Sequence, residues 1–187
     1  THFHGHYNGS IDYFDLTREG ERDWHLNDTP SSDQGYSTDL IAGAAGQFIL
    51  EHAKGDAPYL CYVPFNAPHS PFQAPQEYLK KFAHLAEGNA RGKNKNLRQV
   101  VAAMVSCMDD GIGRILRAID DSGEADDTIV WFFSDNGGVS AIADNNGSLR
   151  GNKLDVWDGG VRVAAAVRWP SGEIRGGRKI LAPLSCI

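Results

Sequence analysis

Apolar residues recur with the spacing of a helix in two long segments of the chain. The first segment begins at residues 37–39 (Ser-Thr-Asp), whose side-chain oxygens can cap a helix, and it ends at Gly55, with Pro58 beyond. Its apolar positions are Leu40, Ile41, Ala44, Ala45, Phe48 and Ile49. The second segment runs from Leu97 to about Asp121 and carries one continuous apolar stripe. Both segments are predicted to be helices.

Short apolar runs alternate with these helices and predict β-strands. The runs are residues 11–16, 59–63, 129–133 and 161–169. Four prolines between residues 64 and 75 exclude a helix or a sheet interior there, so that stretch is predicted to be a fixed loop. Because helices and strands alternate, we expect an α/β fold with a mostly parallel central sheet flanked by helices. Residues 1–187 are expected to form a single partial domain.

Charge and composition exclude several kinds of protein. The 187 residues carry a net charge of −6, which disfavours a nucleic-acid binder because such proteins present a positive surface. Hydrophobic residues make up 41% and charged residues 22%, as in ordinary globular domains. No apolar run has the length of a membrane span. The three cysteines are too few and too scattered for a disulfide framework.

Two predicted strands end in polar loops, and ligands of open α/β sheets gather at the carboxyl ends of strands. One loop contains His69, which can bind an anion or protonate a leaving group. The other contains Asp135 and Asn136, whose hard oxygen donors suit Ca²⁺ or Mg²⁺. Lys153, in a later loop with glycines, can supply a positive charge to an anion. Taken singly, each also fits a plainer interpretation as a turn former or a solvated surface side chain.

Six short motifs occur in one order along the chain. They are residues 35–39 (GYSTD), 65–75 (FNAPHSPFQAP), 108–114 (MDDGIGR), 133–138 (FSDNGG), 149–153 (LRGNK) and 157–162 (WDGGVR). This ordered set resembles the sulfatase family of the alkaline-phosphatase superfamily, over nearly the whole chain.

The resemblance implies an alkaline-phosphatase-like fold and the hydrolysis of sulfate esters at a bound divalent cation, usually Ca²⁺, with Mg²⁺ as the alternative. Asp135 and Asn136 match the later pair of metal ligands in the family. His69 matches the histidine near the sulfate and the leaving-group oxygen, and Lys153 matches the lysine that contacts the sulfate. A small-molecule or carbohydrate sulfate ester is the expected substrate. A periplasmic or secreted location is expected as well, and the oligomeric state stays open.

The sequence also departs from the family pattern. The family nucleophile is a formylglycine made from Cys or Ser in a C/S-x-P-x-R motif, and that motif is missing from the 187 residues. The early acidic pair of metal ligands is missing too. Asp158 stands where the family usually has Glu, and Ala164 stands where it usually has Pro. We therefore expect the later part of a sulfatase catalytic domain, inactive alone, with the formylglycine upstream. A phosphodiesterase or phosphonate monoester hydrolase of the same superfamily, and a silent fragment, are the alternatives.

Two further patterns have plain interpretations. His2, His4 and His6 alternate, and a strand would aim them to one side, as in a Zn²⁺ site. We discount such a site because no fourth ligand is clear. Asn8 and Asn146 each begin an Asn-Gly-Ser pattern, which is an N-glycosylation acceptor only in a eukaryotic secretory host.

Overall fold

The computed structural model describes residues 2–86, 96–142, 146–172, 174 and 176–177. The helices among these residues are α1 (Ser37–His52), α2 (Gln76–Lys81), α3 (Leu97–Ser122) and α4 (Asp158–Val161). The strands are β1 (His4–Gly5), β2 (Thr17–Arg18), β3 (Glu21–Arg22), β4 (His25–Leu26), β5 (Thr29–Pro30), β6 (Val130–Phe133) and β7 (Ala165–Arg168). Single 3₁₀ turns lie at Ala83–Leu85 and Pro170–Gly172.

The two long predicted helices are confirmed, and they pack against each other. The helix predicted from Leu97 is α3, and it ends at Gly123, whose φ of 81° is the left-handed conformation that suits glycine at a helix end. The helix predicted from residue 37 is α1, but the predicted cap is wrong. Tyr36 is the residue before the first turn, and it makes no capping hydrogen bond with its side chain. Residues 37–39 lie inside the helix, where they cannot act as its cap.

The main core lies between α1 and α3. Its buried members are Ala42, Ala45, Ile49, Ile115, Ala118 and Ile119. The segment 59–65 covers one side of this core, and its side chains alternate between the two faces of an extended chain. Tyr59, Cys61, Val63 and Phe65 contact the core, whereas Leu60 is 90% exposed and Tyr62 is 78% exposed. The predicted strand at 59–63 is thus extended with one packed face, but no ladder is formed by it among the described residues.

The strand ladders among the described residues are all antiparallel. β1, β4 and β5 form one small sheet, β2 and β3 form a hairpin, and β6 pairs with β7. The sequence predicted parallel pairing of strands that are separated by helices. No such pair is found within the described part of the chain. The strand predicted at 161–169 is shorter than expected, because α4 includes Val161 and β7 begins only at Ala165.

The strand predicted at residues 11–16 is wrong, because this segment forms a turn. The carboxylate of Asp12 accepts the backbone N–H groups of Phe14 and Asp15 at 2.9 and 2.8 Å. Such local bonds compete with strand pairing. The turn then leads into the β2–β3 hairpin.

Two other expectations meet the structure only in part. The polar sequence of residues 84–96 predicts a link between elements; this stretch lies mostly outside the described residues, although Ala83–Leu85 forms a 3₁₀ turn. Within the described ranges, no helix combines the length and the apolar character that crossing a bilayer demands.

Candidate active site

The loop after β6 carries the two candidate metal ligands side by side. Ser134 continues the ladder by donating its N–H to Ala164 O at 3.1 Å, and its hydroxyl donates to Asn136 O at 3.0 Å. These bonds fix both ends of a tight turn. Within it, the side-chain amide of Asn136 donates to the carboxylate of Asp135 at 2.5 Å. Asp135 is exposed and Asn136 is half-buried, so both side chains are accessible from solvent.

The glycines that follow are required by close backbone packing. Gly137 donates its N–H to Gly160 O at 2.9 Å, and a Cβ on Gly137 would lie 1.7 Å from Gly159 O. A Cβ on Gly159 would lie 2.1 Å from Gly151 O. No other residue type fits such distances, since real Cβ contacts are longer. The glycine-rich motifs at 133–138, 149–153 and 157–162 are therefore three segments of one packed unit.

Lys153 belongs to this unit. Its backbone N–H donates to Gly138 O at 2.9 Å, so the lysine is bonded directly to the loop of Asp135 and Asn136. Its side chain is half-buried. On the same loop, the guanidinium of Arg150 stacks over the ring of Trp157 at 3.7 Å, and Arg150 O accepts the N–H of Gly159 at 2.7 Å. These contacts close the loop around Lys153.

Asn146 holds the two loops together, and sequence reasoning missed this role. Its side-chain oxygen accepts the N–H of Gly138 at 2.8 Å, and its amide donates to Gly151 O at 3.0 Å. The only signal in the sequence was the Asn-Gly-Ser pattern, which indicates glycosylation rather than loop bridging. The other asparagine of that pattern, Asn8, likewise donates its amide to Asp23 at 2.7 Å.

His69 lies on the proline-rich loop that follows segment 59–65. Its backbone N–H donates to Asn66 O at 2.8 Å, and its ring Nδ1 lies 2.8 Å from Ser70 O. A carbonyl can only accept, so Nδ1 must carry a hydrogen. This leaves Nε2 as the ring atom for contact with a substrate. His69 is exposed, as a group that meets a ligand from solvent must be.

The candidate residues are linked to different degrees. Asp135, Asn136 and Lys153 lie on loops that share backbone hydrogen bonds. His69 is linked to them through the core, because segment 59–65 and Val130 of β6 pack on the same cluster between α1 and α3. The loops that follow these two segments therefore start from segments that pack on the same core.

The two candidate cation ligands, Asp135 and Asn136, fit only part of a metal site. A carboxylate and an amide carbonyl are hard oxygen ligands, but Ca²⁺ takes six to eight such atoms. Across the residues that the structure covers, no group of three or more His, Cys, Asp or Glu side chains is arranged to hold a metal. His4 instead bonds to Asp33 at 2.6 Å, and the ring of His6 lies 2.5 Å from Asn8 O. Asp135 and Asn136 could thus supply two donors of a larger set.

An exposed carboxylate–amide pair, a lysine and a histidine lie on loops that leave one α/β core, and these are groups that could bind an anion beside a cation. Comparison with known proteins identifies the family. The Sulfatase profile matches residues 3–185. The chain belongs to the sulfatase family.

Relatives of known sequence cover the same region. The chain is 33% identical over 135 residues to arylsulfatase J of Mus musculus, covering 72% of this chain and 21% of that protein. It is 31% identical over 171 residues to steryl-sulfatase of Rattus norvegicus, covering 87% of this chain and 26% of that protein. A sulfatase of Formosa agariphila is 30% identical over 161 residues, with 82% and 28% covered. The chain thus spans roughly a quarter of the length of these relatives.

A solved structure confirms the fold class. The crystal structure of Ps i-CgsB in complex with k-i-k-neocarrahexaose superposes with a TM-score of 0.79 at 28% identity. The match covers 90% of this chain and 39% of that chain. The α/β, alkaline-phosphatase-like fold expected from the motifs is therefore confirmed.

Proposed function

We propose that this chain is part of a longer protein, called the parent protein below, that hydrolyses a sulfate monoester. The observation that carries the proposal is the backbone bonding of the Lys153 loop to the loop of Asp135 and Asn136, in a chain that matches the sulfatase profile over residues 3–185. This bonding joins the loop of the lysine to the loop of the two proposed cation ligands, and that arrangement supports the binding of an anionic ester beside a cation.

Each of the four residues has a distinct part in the proposal. The ammonium of Lys153 binds the sulfate group as a point charge. Nε2 of His69 contacts the ester oxygen and, when protonated, passes a proton to the departing alcohol. The oxygens of Asp135 and Asn136 contribute to a cation site. A locally positive site can hold an anionic ester although the chain has a net charge of −6.

Two further components come from outside the described residues. Bound Ca²⁺ or Mg²⁺ would supply a positive charge that stabilises the sulfate oxygens as the S–O bond breaks. The nucleophile of the proposal is a formylglycine on a segment of the parent protein beyond these 187 residues. The chain alone is therefore proposed to be inactive.

A solved relative supports one of the two expected substrate classes. Ps i-CgsB was crystallised with k-i-k-neocarrahexaose. This supports a carbohydrate sulfate ester over a smaller sulfate ester as the natural substrate of the parent protein. A periplasmic or secreted location, as expected from the family, belongs to the same proposal.

The test measures hydrolysis of nitrophenyl sulfate and of the phosphate diester bis(nitrophenyl) phosphate by the parent protein, its Lys153→Ala variant and its Lys54→Ala variant. Lys54 is exposed and lies at the end of α1, so its variant is the matched control for loss of one positive charge. We expect turnover of the sulfate, a loss of about 10²–10³-fold in kcat/KM for Lys153→Ala, and no change for Lys54→Ala.

Three other results would contradict the proposal. Turnover of the phosphate without the sulfate would make the parent protein a phosphodiesterase or phosphonate monoester hydrolase of the same superfamily. Turnover of neither ester would favour a silent protein. Equal kcat/KM values for the two lysine variants would show that Lys153 does not bind the sulfate group.

A further inference from the structure

Tyr13 is fully buried and reaches the loop of His69 from a distant part of the chain. Its exposure is 0%, and its hydroxyl lies 2.8 Å from Asn66 O and 2.9 Å from His69 O. Both carbonyls accept, so the single phenolic hydrogen is shared between them. Asn66 and His69 also close a turn through their own backbone bond of 2.8 Å. The hydroxyl of Tyr13 therefore sits on the inner side of the turn that presents the His69 ring.

Hydrogen bonds also fix the backbone of Tyr13. Its N–H donates to the side-chain oxygen of Gln73 at 2.8 Å, and its carbonyl accepts the N–H of Ser37 at 2.8 Å. The amide of Gln73 donates to Asp12 at 2.6 Å, and Gln73 O accepts the hydroxyl of Tyr36 at 2.9 Å. Both ends of the proline-rich loop are thus hydrogen-bonded to Tyr13, one end through Gln73 and the other through Asn66 and His69. Tyr13 connects this loop to the first turn of α1.

The chemistry of the phenol suits this position. Burial, with a smaller contribution from Tyr36, raises the pKa of the Tyr13 hydroxyl far above its ordinary value of 10.0. The hydroxyl therefore keeps its hydrogen at every pH at which the protein works, and stays a donor. The ring of Tyr13 stacks on that of Tyr36 with centroids 5.4 Å apart, which holds the phenolic oxygen in place.

We propose that Tyr13, assisted by Gln73, is a positioning residue that sets the place of the His69 ring in the active site. This inference rests on the proposed function for its catalytic consequence, but not for its structural content. Without the hydroxyl, the carbonyls of Asn66 and His69 both lose a donor, and Asn66 O keeps only the backbone N–H of His69. The turn then loses its anchor to the core and can shift or admit water. A displacement of the ring by about 1 Å is enough to cost activity.

The test compares Tyr13→Phe with Tyr7→Phe in the parent protein, with the histidine rings labelled by ¹³C. Tyr7 is the matched control because its hydroxyl also donates to a backbone carbonyl, that of Asn27, at 2.8 Å. The NMR signal of the His69 ring is assigned by its loss in His69→Gln. We expect Tyr13→Phe to shift or split this signal and to lower kcat/KM for nitrophenyl sulfate about tenfold. Tyr7→Phe should change neither quantity.

A purely structural role predicts a different result. Loss of folded protein would weaken all histidine signals together and leave the position of the His69 signal unchanged. A His69 signal at an unchanged position in the protein that remains folded would overturn the inference. If Tyr13→Phe does not fold, Gln73→Leu decides in the same way, since it removes the bonds to Tyr13 and Asp12. If the unaltered parent protein hydrolyses no sulfate, the proposed function fails, and the His69 signal still decides the role of Tyr13.

Discussion

The backbone N–H of Lys153 donates a hydrogen bond of 2.9 Å to the carbonyl of Gly138, two residues after Asn136. This bond joins the motif at residues 133–138 to the motif at residues 149–153. The position of the Lys153 ammonium therefore depends on the backbone of the loop that carries Asp135 and Asn136, as well as on the rotamer of Lys153 itself. We therefore expect a substitution in either loop to weaken binding at both the proposed anion site and the proposed cation site.

The first prediction concerns Asn146, which bonds to both loops. Asn146→Ala removes its bonds to Gly138 and Gly151, each worth about 1 kcal/mol. We expect kcat/KM of the parent protein for nitrophenyl sulfate to fall about tenfold, because the Lys153 loop loses its fixed position. Steady-state kinetics and the melting temperature would be measured together.

Ser148→Ala is the control for Asn146→Ala. Ser148 is exposed, and both substitutions destroy the same Asn-Gly-Ser pattern, so any loss of a glycan is common to the two variants. If Ser148→Ala lowered kcat/KM as much as Asn146→Ala, the bridging role of Asn146 would be refuted.

The second prediction concerns the cation. Treatment of the parent protein with a chelator should abolish sulfate hydrolysis, and Ca²⁺ or Mg²⁺ should restore it. Asp135→Asn should lower kcat/KM on the order of 10²-fold, since a ligand carboxylate contributes several kcal/mol through the metal. Calorimetric titration with Ca²⁺ gives a second reading that does not depend on activity.

Asp56→Asn provides the comparison for Asp135→Asn, because Asp56 is exposed and lies beyond the end of α1. It should bind Ca²⁺ as the unaltered protein does. An Asp135→Asn protein with undiminished Ca²⁺ affinity would show that Asp135 is not a ligand.

The sequence predicted α3 well because an apolar stripe and the terminal glycine act over short distances. It also predicted the residues Asp135, Asn136 and Lys153 as one group, although only through the ordered motifs. It could not predict the role of Tyr13. The bond from Tyr13 to His69 spans 56 positions along the chain, and no local pattern encodes such a contact. The segment 59–63 shows the same limit, since its alternation predicts an extended chain but not its pairing partner.

The third prediction concerns the packing of α1 on α3. A Cβ on Gly111 would lie 3.1 Å from the Cβ of Ala42, whereas a Cβ on Gly113 would meet only the end of the Arg117 side chain at 3.6 Å. Gly111→Val should lower the free energy of unfolding by about 1–3 kcal/mol through overpacking. Gly113→Val makes the same chemical change on the same helix and should stay within about 0.5 kcal/mol of the unaltered protein. Chemical denaturation of the parent protein would measure both, and equal losses would argue against close helix packing at Gly111.

The last prediction concerns acid stability and Asp23. Burial by itself raises the pKa of this carboxyl, but bonds from the Asn8 side chain and the N–H groups of Tyr7 and Asn8, with the charge of His6, lower it below 3.8 overall. A depressed pKa in the folded state stabilises the fold above the unfolded value, and this stability is lost as the pH falls through the folded value. The melting temperature of the parent protein should therefore fall between about pH 5 and pH 3, and it should fall less steeply in Asp23→Asn. Asp28 is exposed, so Asp28→Asn is the control and its melting temperature should fall with pH as steeply as that of the unaltered protein. If the melting temperature of Asp23→Asn fell equally steeply, Asp23 would not be a source of the acid sensitivity.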